Sequence, residues 1–86
     1  MSDAPRLVFP CAYPIKVLGD NTEAFSAAVL AVFTQLLPGE AFTSSLRTSS
    51  GARFVAVTVT ITATGPDQLA ALHEALRQLP GLRLVL

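Results

Sequence analysis

The sequence has very few of the side chains that perform chemistry. Its 86 residues include one cysteine, one histidine and no tryptophan. Cys11 cannot form a disulfide within the chain, which is typical of a protein kept in a reducing compartment. One histidine and one cysteine also fall short of the three or four ligands that a zinc site usually needs. The composition therefore argues against a disulfide scaffold and a metal site, and we expect no cofactor.

Charged residues are scarce as well, and they are balanced. Six basic and six acidic side chains form 14% of the chain and cancel in net charge. A neutral chain has no bulk attraction for nucleic acid or for a membrane surface. No apolar run approaches the roughly 20 residues that span a bilayer, and the first ten residues lack the pattern of a secretion signal. We expect a cytoplasmic protein with no membrane partner. Its low content of charged residues favours self-association.

Two segments have apolar residues at helical spacing. Asp20 with Glu23 three residues later resembles a capping box at the start of the first helix, and Pro38-Gly39 ends it. Pro66 suits the first position of the second helix, which Pro80-Gly81 ends. The predicted buried faces are Phe25, Val29, Val32, Phe33 and Leu36 in the first helix, and Leu69, Leu72, Leu76 and Leu79 in the second.

Four segments alternate as β-strands do, at residues 13–19, 41–50, 53–65 and 82–86. The second is the poorest in apolar residues, which suits an edge strand. The order β-α-β-β-α-β predicts an α+β, ferredoxin-like fold, with a four-stranded antiparallel sheet and both helices on one face. We assign residues 1–12 to a flexible N-terminal segment and residues 13–86 to a single domain.

The strand alternation also divides the sheet into two faces. Valines of the third strand point to the helices, and its threonines point to a face that no element covers. No carboxylate is predicted on this open face, which is either solvated, as antiparallel sheets allow, or a contact surface for an anion, a protein or a second copy. By strand parity it carries Lys16, Leu18, Arg47, Phe54, Ala56, Thr58, Thr60, Thr62, Arg83 and Val85.

No constellation of residues indicates catalysis. His73 lies next to the buried stripe of the second helix, and no carboxylate is placed to orient it as a base. Cys11 has no neighbour that would activate a thiol. Asp20, Glu23 and Asp67 are explained as helix caps or first-turn residues, where negative charge is favoured. We therefore predict a protein that is not an enzyme.

Two functions that occur with this strand order can be checked against specific residues. RNA-recognition modules stack bases on several aromatic side chains of the open face, whereas Phe54 is the one aromatic residue predicted there. Acylphosphatases hold phosphate in a loop that should be glycine-rich and carry an arginine, but residues 19–22 are Gly-Asp-Asn-Thr. Nucleic acid is therefore not an expected partner, and phosphatase chemistry is not an expected activity.

Several segments together resemble the YbeD-like proteins, a small bacterial family of unassigned function. They are Phe9-Pro10, Lys16-Val17, Gly19, the Ser49-Ser50 turn, Phe54, the strand through Ala63-Thr64, and Val85-Leu86. The resemblance extends from about Phe9 to Leu86. One departure is in the turn, where the family tends to have glycine at the position of Ala52 and this chain has it at Gly51.

The resemblance implies a fold similar to the ACT-type regulatory domains, which bind amino acids between the first strand and first helix, near a subunit interface. The corresponding ligand-binding turn would be Gly19, Asp20 and Asn21. The first hypothesis is thus a non-catalytic regulatory module that binds an amino acid or a small anion. The alternative is a protein-interaction or oligomerisation domain, including a homodimer, that acts through the open face or the edge strands at residues 42–48 and 82–86.

Overall fold

The computed structural model describes residues 8–86, and its elements follow the predicted order. Residues 1–7 of the predicted flexible segment lie outside the described residues. A short 3-10 turn, Ser50–Ala52, joins the second and third strands. The helices and strands are β1 (Cys11–Asp20), α1 (Glu23–Leu36), β2 (Thr43–Thr48), β3 (Phe54–Ala63), α2 (Pro66–Arg77) and β4 (Leu82–Val85).

The four strands form one antiparallel sheet in the order β2-β3-β1-β4. The two long strands β1 and β3 pair along their whole length, from Cys11 opposite Ala63 to Asp20 opposite Phe54. β1 starts at Cys11, two residues before the predicted Tyr13, because the β3 partner extends that far. The ferredoxin-like prediction is confirmed, with β2 and β4 as the two edges.

The core lies between one face of the sheet and the two helices. Alternate residues of β1 and β3 are buried, and both helices cover them with their apolar stripes. The first stripe differs from the prediction at its end, because Leu36 is 41% exposed and Leu37 is buried instead. The helix stops at Leu36, so the chain turns there and directs the next side chain inward. The largest fully buried side chains are Phe33, Ile15, Leu72 and Leu76.

The start of α1 also differs from the predicted capping box. Thr22 is the N-cap, and its Oγ1 accepts a hydrogen bond of 3.1 Å from the Phe25 amide. Asp20 does not cap the helix, because it is the last residue of β1. Threonine at this position satisfies one of the amides that a helix leaves without a partner in its first turn.

A β-bulge in β4 changes which residues face the helices. Leu18 pairs with Leu84, while the next residue, Gly19, pairs with Leu82. Arg83 is therefore an extra residue in the ladder, and the parity of the strand reverses across it. Val85, which was predicted on the open face, packs against the core instead, and this prediction is wrong. Leu84 takes the place of Val85 and is 47% exposed.

The turn between β2 and β3 contains an alanine in the left-handed region. Ala52 has φ +56°, next to Gly51 at φ +82°. A side chain in this conformation costs roughly 1–2 kcal/mol. The position is the one where the YbeD-like pattern has glycine, so the departure in sequence coincides with backbone strain.

Replacing Ala52 by glycine is expected to raise the free energy of unfolding by about 0.5–1 kcal/mol. Glycine adopts the left-handed region freely, although its more flexible unfolded chain offsets part of the gain. The matched variant Gly51→Ala puts a side chain at the neighbouring positive φ and is expected to lose about 1 kcal/mol. Urea denaturation of both variants tests this, and an A52G protein no more stable than the parent would contradict it.

Candidate functional site

The three residues of the predicted ligand-binding turn have three different surroundings. Gly19 is buried beneath the ring of Phe25, and a β-carbon added there would overlap the ring, within 2.6 Å of Cε1. Its φ is not in the left-handed region, so glycine is required by this contact and not by a tight turn. Gly19 thus fixes the first turn of α1 against β1.

Asp20 faces the open side of the sheet, opposite Phe54. Its Oδ1 lies 3.2 Å from both Nε and Nη2 of Arg83. The guanidinium of Arg83 in turn lies over the Phe54 ring, 5.5 Å from its centroid. The prediction that no carboxylate lies on the open face is therefore wrong. Asp20 was assigned to a helix cap, and it is the partner of Arg83 across the bulge.

Asn21 joins the turn to the loop before β3. Its amide nitrogen Nδ2 donates to the Ala52 carbonyl over 3.0 Å, and its backbone N–H donates to the Arg53 carbonyl over 3.2 Å. Asn21 also lines a groove of about 550 Å³ between the start of α1 and the edge strand β2. Asp20 lines a separate groove of about 300 Å³ on the other side of the helix.

The larger groove, called here the α1–β2 groove, combines one carboxylate with an apolar wall. Glu23 lies at its rim, in the first turn of the helix. The amides of Glu23 and Ala24 precede Phe25, the first helical amide with a partner, so they are free to donate. The residues that line the groove are Asn21, Thr22, Glu23, Ala24, Ser26, Ala27, Leu46, Thr48 and Val55.

Sequence reasoning missed Glu23 and Leu46 as parts of this groove. Leu46 lies on the helix-facing side of β2, yet it is 59% exposed because α1 does not extend over the edge strand. All six residues of β2 are exposed. A leucine in an otherwise polar strand is the one signal in the sequence that could have indicated it.

The open face has most of the residues that parity assigned to it. Cross-strand pairing joins Arg47 to Ala56 and Ala56 to Leu18, and it joins Lys16 to Thr58. Phe54, Thr60, Thr62 and Arg83 lie on the same side, and Leu84 joins them in place of Val85. No helix or strand covers this side within residues 8–86.

The remaining chemical groups lie apart from both surfaces. His73 is half-buried on α2, and its Nε2 is buried without a hydrogen-bond partner in the described part of the chain. Cys11 is a partly buried free thiol at the start of β1. Residues 8–86 contain no group of three or more His, Cys, Asp or Glu side chains suited to a metal ion. Nor does either helix in that range have the length and apolarity to cross a bilayer.

The fold resembles two solved structures at low sequence identity. The Helicobacter pylori protein HP0495 superposes with a TM-score of 0.82 and 17% identity, covering 99% of this chain and 90% of that one. The ACT domain of the GTP pyrophosphokinase of Chlorobium tepidum gives a TM-score of 0.64 and 16% identity, with coverage of 87% and 92%. Both likenesses show the fold, which is ACT-like.

Sequence relatives are much more similar to this chain. A UPF0250 protein of Azotobacter vinelandii is 45% identical over 85 residues, covering 96% of this chain and 92% of that protein. A UPF0250 protein of Pseudomonas aeruginosa is 44% identical over 84 residues, covering 95% and 90%. Residues 4–86 match the family described as protein of unknown function (DUF493). The chain therefore belongs to the DUF493, or UPF0250, family of small bacterial proteins, and its resemblance to YbeD-like proteins is confirmed.

Proposed function

We propose that this protein is a non-catalytic cytoplasmic regulatory module, and that the α1–β2 groove binds a free amino acid with an aliphatic side chain. The observation that carries the proposal is the composition of the groove. The first-turn residues Glu23 and Ala24, with one carboxylate between them, and an apolar wall line an open groove of about 550 Å³. Ligand sites typically have 300–1,000 Å³ and a few placed polar groups on an apolar lining.

Each part of an amino acid has a matching group in the groove. The ammonium group would pair with the Glu23 carboxylate. The ligand carboxylate would accept from the Glu23 and Ala24 amides, where the helix dipole favours negative charge. The aliphatic side chain would lie on Leu46 and Val55. A simple anion is a poorer fit, because it would meet the charge of Glu23 without any compensating cation.

The position of the groove suggests how binding could regulate. A ligand there would bridge the first turn of α1 and β2, whereas the loop at residues 37–42 connects β2 to the opposite end of the helix. An occupied groove would hold the edge strand β2 in place and alter what that edge can pair with. The ACT-like fold supports a regulatory role of this kind.

A second candidate is an oligomerisation domain without a small ligand, favoured by the exposure of every residue of β2. An exposed edge strand can pair with the same strand of a second copy. Sedimentation velocity, run with and without amino acids, separates the candidates. Oligomers whose sedimentation coefficient is unchanged by every amino acid support the oligomerisation domain.

Leucine, isoleucine and valine are expected to raise the melting temperature in a thermal-shift assay. A free ligand concentration of about 100 times Kd adds about 2.7 kcal/mol of stability, which corresponds to a rise in Tm of about 10–20 °C for a domain of this size. Leucine analogues that lack either the amino or the carboxyl group should each bind at least about 10-fold more weakly, since each loses a charge-assisted hydrogen bond.

The variant Glu23→Gln should also bind leucine at least about 10-fold more weakly, as measured by calorimetry. Glu40→Gln is its matched control, because Glu40 is also exposed but lies outside the groove. Unchanged leucine binding by E23Q, or the absence of any shift with the three aliphatic amino acids, would refute the proposed function.

A further inference from the structure

The open face has an excess of positive charge that the fold itself does not neutralise. Arg83 is paired with Asp20 at 3.2 Å. Lys16 and Arg47, in contrast, form no salt bridge with any group in residues 8–86. Both side chains are exposed. Two cations on an uncovered sheet face are thus available to a negatively charged partner.

Cross-strand pairing fixes the positions of these two cations. Arg47 belongs to a row with Ala56, Leu18 and Leu84 across the four strands. Lys16 belongs to the adjacent row, where it exchanges both backbone hydrogen bonds with Leu86 at 3.2 and 2.8 Å. Two strand spacings and one same-face step separate the two residues, which is about 12 Å between their Cα atoms.

The surface between the cations is apolar or carries hydroxyl groups. Leu18 and Ala56 lie in the row of Arg47, and Thr58 lies beside Lys16. Leu84 and Leu86 extend the apolar part toward the β4 edge, with exposures of 47% and 64%. A partner that fits this pattern has two carboxylates with a small apolar group between them.

We propose that the open face binds an acidic, extended segment of another protein, with acidic residues four positions apart and an apolar residue midway. Residues i, i+2 and i+4 of an extended chain share one side, and four residues span about 13 Å. The two carboxylates would pair with Lys16 and Arg47, and the central residue would pack on Leu18 and Ala56. This site is on the opposite side of the sheet from the α1–β2 groove and does not depend on it.

The same observations count against the other occupants. A second copy docked face to face would bring the same cations together, and like charges at an interface are costly. A single-stranded nucleic acid would need exposed aromatic rings for its bases. Phe54 has the Arg83 guanidinium over its ring and is not free to stack.

The test is a nuclear magnetic resonance titration of the full chain with the peptide acetyl-Ser-Glu-Thr-Val-Thr-Glu-Ser-amide. Saturable shifts are expected at the backbone amides of Lys16, Arg47 and Thr58, with Kd between about 10 μM and 1 mM. Raising salt from about 50 to 200 mM should weaken the binding severalfold, because exposed charges are screened.

Two double variants with the same net charge provide the control. Lys16→Gln with Arg47→Gln should weaken binding at least about 10-fold, whereas Arg53→Gln with Arg77→Gln should leave it within about twofold. Arg53 lies in the loop before β3, and Arg77 pairs with Glu74 on α2.

Four outcomes would overturn the proposal. They are no shift at about 5 mM peptide, equal shifts with the peptide whose glutamates are replaced by lysine, equal losses in the two double variants, and tighter binding of a single-stranded oligonucleotide at the same amides. A failure here leaves leucine binding in the groove unaffected, because that binding is measured on different residues.

Discussion

The variant Phe33→Ala is expected to lower the free energy of unfolding by about 3–5 kcal/mol. Phe33 is the largest fully buried side chain and lies in the last turn of α1, on the face that covers the sheet. Removing its ring leaves a cavity that the long strands β1 and β3 cannot close by shifting. A domain of this size has a total stability of about 4–13 kcal/mol, so the variant should lose at least about a quarter of it.

Phe42→Ala is the matched control for this prediction. The two rings are 5.9 Å apart, but Phe42 precedes the edge strand and is only partly buried. Its loss should cost less than half as much, because water can enter the space. Guanidinium denaturation monitored by circular dichroism measures both values. Equal losses in the two variants would show that α1 does not pack as described.

Gly19→Ala is expected to lower the free energy of unfolding by about 1–3 kcal/mol, the typical cost of overpacking. The new methyl group would overlap the Phe25 ring, which is 3% exposed and has no room to turn away. Either α1 must lift from β1 at its first turn, or the ring must leave the core. In both cases the start of the α1–β2 groove is displaced.

A double-mutant cycle makes the cause specific. Phe25→Leu alone removes packing, but in the Gly19→Ala background it also makes room for the new methyl group. The double variant should therefore lose less stability than the two single variants lose in sum, by at least about 0.5 kcal/mol. Gly65→Ala is the control, since a β-carbon there meets nothing within 4 Å. We expect it to cost less than about 1 kcal/mol, through its N-cap position alone. Strict additivity in the cycle would contradict the contact.

Local patterns were sufficient to predict the fold. The alternation of valine and threonine in β3 assigns its two faces, and the spacing of Leu69, Leu72 and Leu76 assigns the buried side of α2. Buried residues recur every second residue in a strand and every three to four residues in a helix, so each pattern can be recognised within a single segment of the sequence. The predicted start of α1 was wrong, because Asp20 and Thr22 are both acceptable caps by residue type and only Thr22 caps the helix.

The candidate sites could be predicted only in part, because they depend on pairings that no single segment encodes. Parity gave Lys16 and Arg47 correctly, but the bulge at Arg83 has no sequence signature and reversed the outcome for Val85. The partnership of Asp20 with Arg83 joins the two ends of the domain. The α1–β2 groove likewise lies between a helix start and a distant edge strand, where no periodic pattern could indicate an opening.

The central position of β1 in the sheet has a consequence for how the chain reaches its folded state. β1 is the first element in sequence, yet both of its neighbours, β3 and β4, come from the second half of the chain. The hairpin of β2 with β3 closes a short loop and can form early, whereas β1 must wait for contacts that close long loops. During synthesis, the apolar side of β1 remains unpaired until β3 has emerged. The protein is therefore most exposed to misassembly on the ribosome, where a central strand of its sheet waits longest for a partner.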